Sequence, residues 1–395
     1  DDFKQVKMCS KEQALAAGLL VMIGREVDDA YEQELLKQVL NPEIIQKNQD
    51  QITIIYTPLH GTGNLPVRNI LKKIGFEHVF VVEEQALPDG NFPTVSYPNP
   101  ETKEAFELGL KLAKEKNADL ILATDPDADR LGVQVRDAQG KYHSLTGNMS
   151  GCLLADYVVG QKQRKYGLPK DGVLIRSIVT TRLLDAIAKN YHLELIEVLT
   201  GFKYIGQKIL EFEESGEKTY LFGMEESYGC LPGTYARDKD AVVAAMLLAE
   251  MAAFYQEKKM NLWDAMMELY EKYGYYEDQI ISVTLEGMDG LQKIQTTMEK
   301  LENTQVLELG GFNVIARRNY KTGIIEDYGT KKQRPTGLPK TNALYFELEE
   351  EGFVCVRPSG TEPKIKVYYG VCGKDRQDSI EKSKRLGMAV EALIH

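Results

Sequence analysis

The chain has 395 residues, 43% of them hydrophobic and 27% charged, with a formal net charge of −11. That length can fill several cores, and the acidic balance argues against a nucleic-acid binder, which needs a basic face. No run approaches the ~18–20 apolar residues of a membrane span, and the opening "DDFKQVKMCS" lacks the order of a signal peptide, so a cytoplasmic location is expected. Five scattered cysteines without a C-x-x-C pair fit reduced thiols better than structural zinc or a disulfide framework.

From Asp1 to about Leu40 the spacing predicts a helix with an acidic exposed face, beginning abruptly like the tail of something else. From "QITIIYTPLHGTGN" onward, short apolar strands alternate with helices. "ITIIYT" reads as a strand, "LPVRNILKKIG" as a helix ended by Gly75, and "HVFVVEE" as a strand. "PETKEAFELGLKLAKEKN" reads as a helix and "ADLILAT" as a strand. A second set follows: helix "GNMSGCLLADYVVGQKQRKYG", strand "GVLIRSIV", helix "TTRLLDAIAKNY", strand "LELIEVL", helix "FKYIGQKILEFEE", strand "TYLFGMEE" and the buried helix "KDAVVAAMLLAEMAAFYQEK". Such alternation predicts βαβ units whose functional loops follow the strand C-termini. After Tyr273 come strand-rich segments ("QIISVTLEG", "NALYFELEEEGFVCVRP", "KIKVYYGV") and a final helix from about Ser379. The fold class expected is α/β, tandem βαβ-type three-layer domains followed by an α+β domain. The expected boundaries are 1–45 (a remnant of a preceding domain), 46–145, 146–274 and 275–395.

"ATDPDADRLG" places Asp125, Asp127 and Asp129 behind an apolar strand, with Arg130 next. Arg130 stands where a calcium-binding EF-hand needs Gly, and Arg136 where it needs Glu, so that reading fails. Three carboxylates in a tight loop suit Mg²⁺, which takes oxygen ligands and shares them with phosphate; the alternative is a solvated acidic turn. In "VRPSGTEPKIKVYYG", Arg357, Ser359, Gly360, Thr361 and Lys364 form a dense set of donors for an anion, or else a polar hairpin turn. "GMEESYG" offers Glu225, Glu226 and Ser227 to sugar hydroxyls, a Glu there being equally able to act as general acid or base. "LTGFKYIG" contributes Thr200, Gly201 and Lys203 at a strand-to-helix junction, and "YARDKDA" contributes Arg237 and Lys239. "LHGTGN" fails as a dinucleotide loop because Pro66 occupies the third glycine position, and His60 reads as structural.

Together "TDPDADR", "LTGFK", "GMEESYG", "RDKDA" and "RPSGTEPKIK" resemble the metal, sugar and phosphate loops of the α-D-phosphohexomutases, the phosphoglucomutase/phosphomannomutase family, in that family's order from about residue 50 onward. The resemblance implies three related α/β domains and an α+β fourth. It also implies interconversion of hexose 1- and 6-phosphates, glucose foremost, through a phosphoserine and a hexose 1,6-bisphosphate. By the same resemblance, Asp125, Asp127 and Asp129 would hold Mg²⁺ with Arg130 assisting catalysis. Thr200, Gly201, Lys203, Glu225, Ser227, Arg237 and Lys239 would hold the sugar phosphate, and residues 357–364 its distal phosphate. The family's Ser-His-Asn-Pro loop is missing: no Ser-His pair occurs in the chain. The expectation is therefore a fragment without its nucleophile, inactive alone, that binds a hexose phosphate and neither nucleic acid nor membrane. A non-catalytic sugar-phosphate-binding protein and a Mg²⁺-dependent phosphatase are the competing readings.

Overall fold

The structure, a computed structural model, describes residues 5–284, 287–359 and 364–394. The single opening helix expected over residues 1–40 is instead two, α1 (Lys11–Ala16) and α2 (Arg25–Leu36), followed by α3 (Pro42–Asn48). Gly18 adopts a left-handed φ of +69° one residue after the α1 cap, which ends the helix. The linker that follows leaves Leu19, Val21, Met22 and Ile23 exposed.

The first sheet is built from β1 (Ile54–Thr57), β2 (Val79–Val81), β3 (Leu120–Thr124), β4 (Leu131–Arg136) and β5 (Tyr142–Leu145), with α4 (Asn64–Ile74) and α5 (Glu107–Lys116) as its crossovers. Its order is β2-β1-β3-β4-β5. β1 pairs parallel with β2 and β3, whereas β4 and β5 add antiparallel, a hairpin the sequence pattern does not announce. All of β1 and β3 is buried, which is why they read as unbroken apolar runs. Strand order reverses at β1, so the loops after β1 and β3 flank one crevice.

The second sheet repeats that logic. After α6 (Gly147–Tyr166) come β6 (Gly172–Ser177), α7 (Leu183–Asn190), β7 (Glu194–Val198), α8 (Phe202–Ser215), β8 (Thr219–Glu225) and β9 (Gly229–Leu231). The order is β7-β6-β8-β9, so the loops after β6 and β8 adjoin. Helices α9 (Ala241–Glu257) and α10 (Leu262–Tyr273) complete this part, and α9 is buried from Ala241 to Phe254. Deep in it, Glu250 accepts the backbone amides of Leu40 (3.0 Å) and Asn41 (2.9 Å) and the hydroxyl of Tyr157 (2.7 Å). This carboxylate ties the opening helices to the core.

The remaining strands are β10 (Tyr275–Thr284), β11 (Glu308–Leu309), β12 (Phe312–Asn319), β13 (Ile324–Asp327), β14 (Gln333–Pro335), β15 (Leu344–Leu348), β16 (Phe353–Pro358) and β17 (Lys364–Gly373), with α11 (Gly287–Asn303) and α12 (Arg376–Ile394). They form an antiparallel sheet in the order β10-β17-β16-β15-β12-β13-β14, to which β11 adds beside β12. The segment 342–358 is a hairpin of β15 and β16, turning through positive φ at Glu350 and Glu351. Half-buried Asp278 on β10 lies opposite Gly370 on β17, where a Cβ would meet its Oδ1 at 2.4 Å. The sole tryptophan, Trp263 on α10, stacks on His143 of β5 (4.0 Å, 7°) and carries the Arg376 guanidinium of α12 at 4.9 Å. Among the described residues no helix is long and apolar enough to cross a membrane.

Candidate functional site

β3 ends at Thr124, and the chain turns through Ala128 (φ +58°) so that the loop folds back on itself. Oδ1 of buried Asp125 accepts the amides of Asp129 (3.1 Å) and Arg130 (2.9 Å). The loop is braced from below by the β1 loop, where the Thr62 amide donates to the Pro126 carbonyl (2.8 Å) and a Cβ on Gly61 would meet Pro126 at 2.3 Å. The result is that carboxylate oxygens of Asp125, Asp127 and Asp129 lie within 4.8 Å of one another. Arg130 Nε sits 3.7 Å from both Asp125 and Asp129 and is buried without a hydrogen-bond partner among the described residues, as is Asp129 Oδ1. Burial, reinforced by its two acidic neighbours, pushes the Asp125 carboxyl up to about 7.

A residue from the second sheet's part completes this loop. Lys239 Nζ is 2.7 Å from Asp129 Oδ2. Two backbone bonds fix the approach: the Ala241 amide donates to Ala128 (3.1 Å) and the Leu131 amide to Tyr228 (2.9 Å). Lys239 is held from behind by its neighbour Asp240, which caps α9 and accepts the hydroxyls of Tyr31 (2.8 Å) and Tyr235 (2.6 Å). Burial opposes the charge on Lys239, but the Asp129 carboxylate outweighs it and its pKa is raised.

The loop after β8 meets the start of α8. Glu225, only 4% exposed, accepts the Gly201 amide at 2.6 Å. Burial first, and the adjacent Glu226 charge second, lift Glu225 to about 7. Glu226 turns the other way, taking hydroxyls of Ser177 and Thr180 at 3.2 Å each, while half-buried Ser227 lies beside them in the loop. Thr200 Oγ1 is buried and has no hydrogen-bond partner among the described residues, and exposed Lys203 stretches over the Tyr204 ring at 5.0 Å. Arg237 is exposed and bonded to the Thr234 carbonyl (2.6 Å) and to Glu213.

On the C-terminal sheet, Arg357 is the penultimate residue of β16 and Lys364 the first of β17, the two strands being joined there by the Ser359 amide on the Lys364 carbonyl (2.7 Å). Gly360 and Thr361 lie outside the described residues. The geometry thus joins Asp125, Asp127, Asp129, Arg130 and Lys239 at one locus and Gly201 with Glu225 at a second. Ser177, Thr180 and Asp240 were not singled out from sequence; Asp240 carried a helix-capping signal in "RDKDA". His60, 5% exposed, bonds through both ring nitrogens, to the Leu87 carbonyl (3.2 Å) and Thr94 hydroxyl (2.8 Å). That is a structural histidine.

Two doubly wound α/β units and an antiparallel α+β unit, carrying an acidic loop, a Glu-Ser loop and a basic hairpin, define the architecture of an α-D-phosphohexomutase. Family models for phosphoglucomutase/phosphomannomutase match three stretches: alpha/beta/alpha domain II over residues 29–140, alpha/beta/alpha domain III over 146–273 and the C-terminal domain over 312–383. The chain is 36% identical over 357 residues to a phosphoglucomutase of Staphylococcus saprophyticus, covering 90% of this chain and 62% of that protein. With a phosphoglucomutase of Staphylococcus epidermidis it shares 38% over 322 residues, 81% of this chain and 57% of that one. Parafusin, a phosphoglucomutase of Paramecium in its open form, has the same fold (TM-score 0.63, 17% identity, 93% of this chain and 61% of that chain). So has a phosphoglucomutase/phosphomannomutase family protein of Burkholderia thailandensis (0.56, 17%, 87% and 60%). The chain belongs to the phosphoglucomutase/phosphomannomutase family, and it spans about three fifths of the curated relatives it matches.

Proposed function

We propose that this chain carries the metal-, sugar- and phosphate-holding parts of a phosphohexomutase that interconverts hexose 1-phosphate and hexose 6-phosphate, with glucose as the hexose. The observation that carries this reading is the convergence of Asp125, Asp127 and Asp129 at a strand end, with Lys239 brought to the same loop. The phosphoglucomutase names of the relatives support the choice of substrate. The donor set fits Mg²⁺: three hard carboxylate oxygens, one of them buried and without a hydrogen-bond partner. Bound there, the ion would neutralise charge on a transferring phosphoryl group.

Arg130 adds a fixed cation beside that position, and Lys239 keeps the acidic loop neutral enough to admit a phosphate. Glu225, Ser227, Thr200, Gly201, Lys203 and Arg237 would hold the sugar phosphate at hydroxyls that occupy similar places in both orientations of the ring. With its pKa near neutrality, Glu225 can meet such a hydroxyl as donor or acceptor. Arg357, Ser359, Gly360, Thr361 and Lys364 would clamp the phosphate that is not reacting. The matched family models are those of the second, third and C-terminal domains, and the sequence has no Ser-His pair. We therefore assign the phosphoserine to polypeptide outside these 395 residues. It would give its phosphoryl group to the sugar phosphate, forming the hexose 1,6-bisphosphate, and regain one from the bisphosphate's other position. We place the reaction in the cytoplasm, in keeping with free thiols at Cys152, Cys230 and Cys355.

A coupled assay with glucose 1-phosphate and catalytic glucose 1,6-bisphosphate tests this. The chain alone should bind Mn²⁺ and glucose 1-phosphate without turnover, and turnover should appear in a longer protein that bears the serine. Phosphate release by the chain alone, abolished by Asp125→Asn, would instead establish a phosphatase.

A further inference from the structure

A cleft of about 1040 Å³ opens between the second sheet's part and the C-terminal sheet, lined by α7 and β7 on one wall and by Arg318, Glu350, Glu351 and Lys382 on the other. None of the metal, sugar or phosphate loops contributes to it. α7 turns the stripe Arg182, Asp185, Ala186 and Lys189 towards it, the i, i+3, i+4, i+7 spacing of one helix face.

The charges on these walls do not cancel. Every carboxylate lining the cleft is engaged. Asp185 is gripped by fully buried Arg176 through two bonds (2.7 and 3.0 Å). Glu197 bridges Arg176 (3.0 Å) and Arg318 (2.7 Å). Glu350 pairs with Lys382 (2.7 Å), and Glu351 accepts the Tyr276 hydroxyl. Arg182 and Lys189, by contrast, have no ion pair among the described residues. Among the described residues Arg182 bonds the Tyr345 hydroxyl (3.2 Å), with its guanidinium 5.9 Å from that ring, and its Nε has no hydrogen-bond partner. Two cations without an ion pair among the described residues thus stand seven positions apart on one helix face, about 10 Å of axial rise. In a protein of net charge −11 this cleft is a local reversal of sign, the condition for capturing an anion rather than repelling it.

We propose that the cleft is a second anion site, binding a small phosphorylated molecule whose negative groups bridge Arg182 and Lys189. Guanidinium and ammonium suit phosphoryl oxygens, and the spacing suits a ligand with a phosphate at each end, such as a sugar bisphosphate. The ligand would bind between two parts of the chain joined at Gly274–Tyr275, and so bias their separation.

The probe is fructose 1,6-bisphosphate, titrated calorimetrically into the chain in EDTA so that no divalent cation recruits it to the acidic loop. Saturable binding is expected, weakened at least threefold by Lys189→Gln and at least tenfold by Arg182→Gln with Lys189→Gln, while Arg357→Ala changes it less than twofold. Lys189 is exposed, so its substitution leaves folding intact. The proposal is overturned by an absence of saturable binding in the low millimolar range, by unchanged affinity in Lys189→Gln, or by equal weakening in Arg357→Ala. The last result would assign the ligand to the basic hairpin and leave the proposed mutase function standing.

Discussion

The ammonium group of Lys239 lies 2.7 Å from Oδ2 of Asp129, so the acidic loop of one α/β unit takes its counter-charge from the next. Both side chains are largely buried, 13% and 27% exposed, so the pair is screened less than a surface ion pair. Lys239→Met would leave a partly buried carboxylate without its partner. A loss of about 1–3 kcal/mol is expected from urea denaturation, and an unchanged midpoint would show that the bridge contributes nothing.

Asp127 is the exposed member of the acidic triad. Asp127→Ala should leave stability within about 0.5 kcal/mol, as for other surface changes, yet weaken Mn²⁺ binding at least tenfold by calorimetry. Retained affinity would remove Asp127 from the metal site.

Arg357 is the penultimate residue of β16, at the base of the basic hairpin. If Arg357 clamps a phosphate as proposed, Arg357→Ala should cost a charge-assisted contact of about 1.5–3 kcal/mol. Glucose 1-phosphate should then bind at least tenfold more weakly; equal affinity would exclude this hairpin as the clamp.

Asp278 gives a pH dependence. Burial raises its carboxyl to about 7, against the opposing Thr181 hydroxyl bond. Between its ordinary value near 4 and about 7, the unfolded chain has released this proton while the native chain keeps it. This group's contribution to stability therefore falls as pH rises through that window and is level above it. Relative to Asp278→Asn, the parent should lose stability from pH 4 to 7; parallel stability curves would contradict the assignment.

Glu250, fully buried, holds two backbone amides and a tyrosine hydroxyl. Glu250→Ala strands these donors in the core, for an expected loss of about 3 kcal/mol or more. A shift in thermal midpoint of less than a degree would show that the opening helices are held by packing alone.

What the sequence discloses follows the range of the interactions. β1, β3, β6 and β8 are legible because strands covered on both faces read as apolar runs, and the acidic loop because its residues are adjacent in the chain. β4–β5 was hidden, since "LGVQVRDAQGKYHSL" mixes polar residues into strands that are antiparallel additions to the sheet. The break of the opening helix was readable at Gly18 and Gly24 but was outweighed by the apolar periodicity around them. Lys239 on Asp129, and Ser177 with Thr180 on Glu226, depend on loops brought together only by sheet topology. No local pattern encodes them.

Trp263 touches His143 from the first sheet and Arg376 from the last helix. Because it is the sole tryptophan, its emission is an intrinsic optical gauge at the meeting point of all three parts of the chain. Any ligand that moves the C-terminal part relative to the others would announce itself in that spectrum, with no dye attached and no reaction to follow.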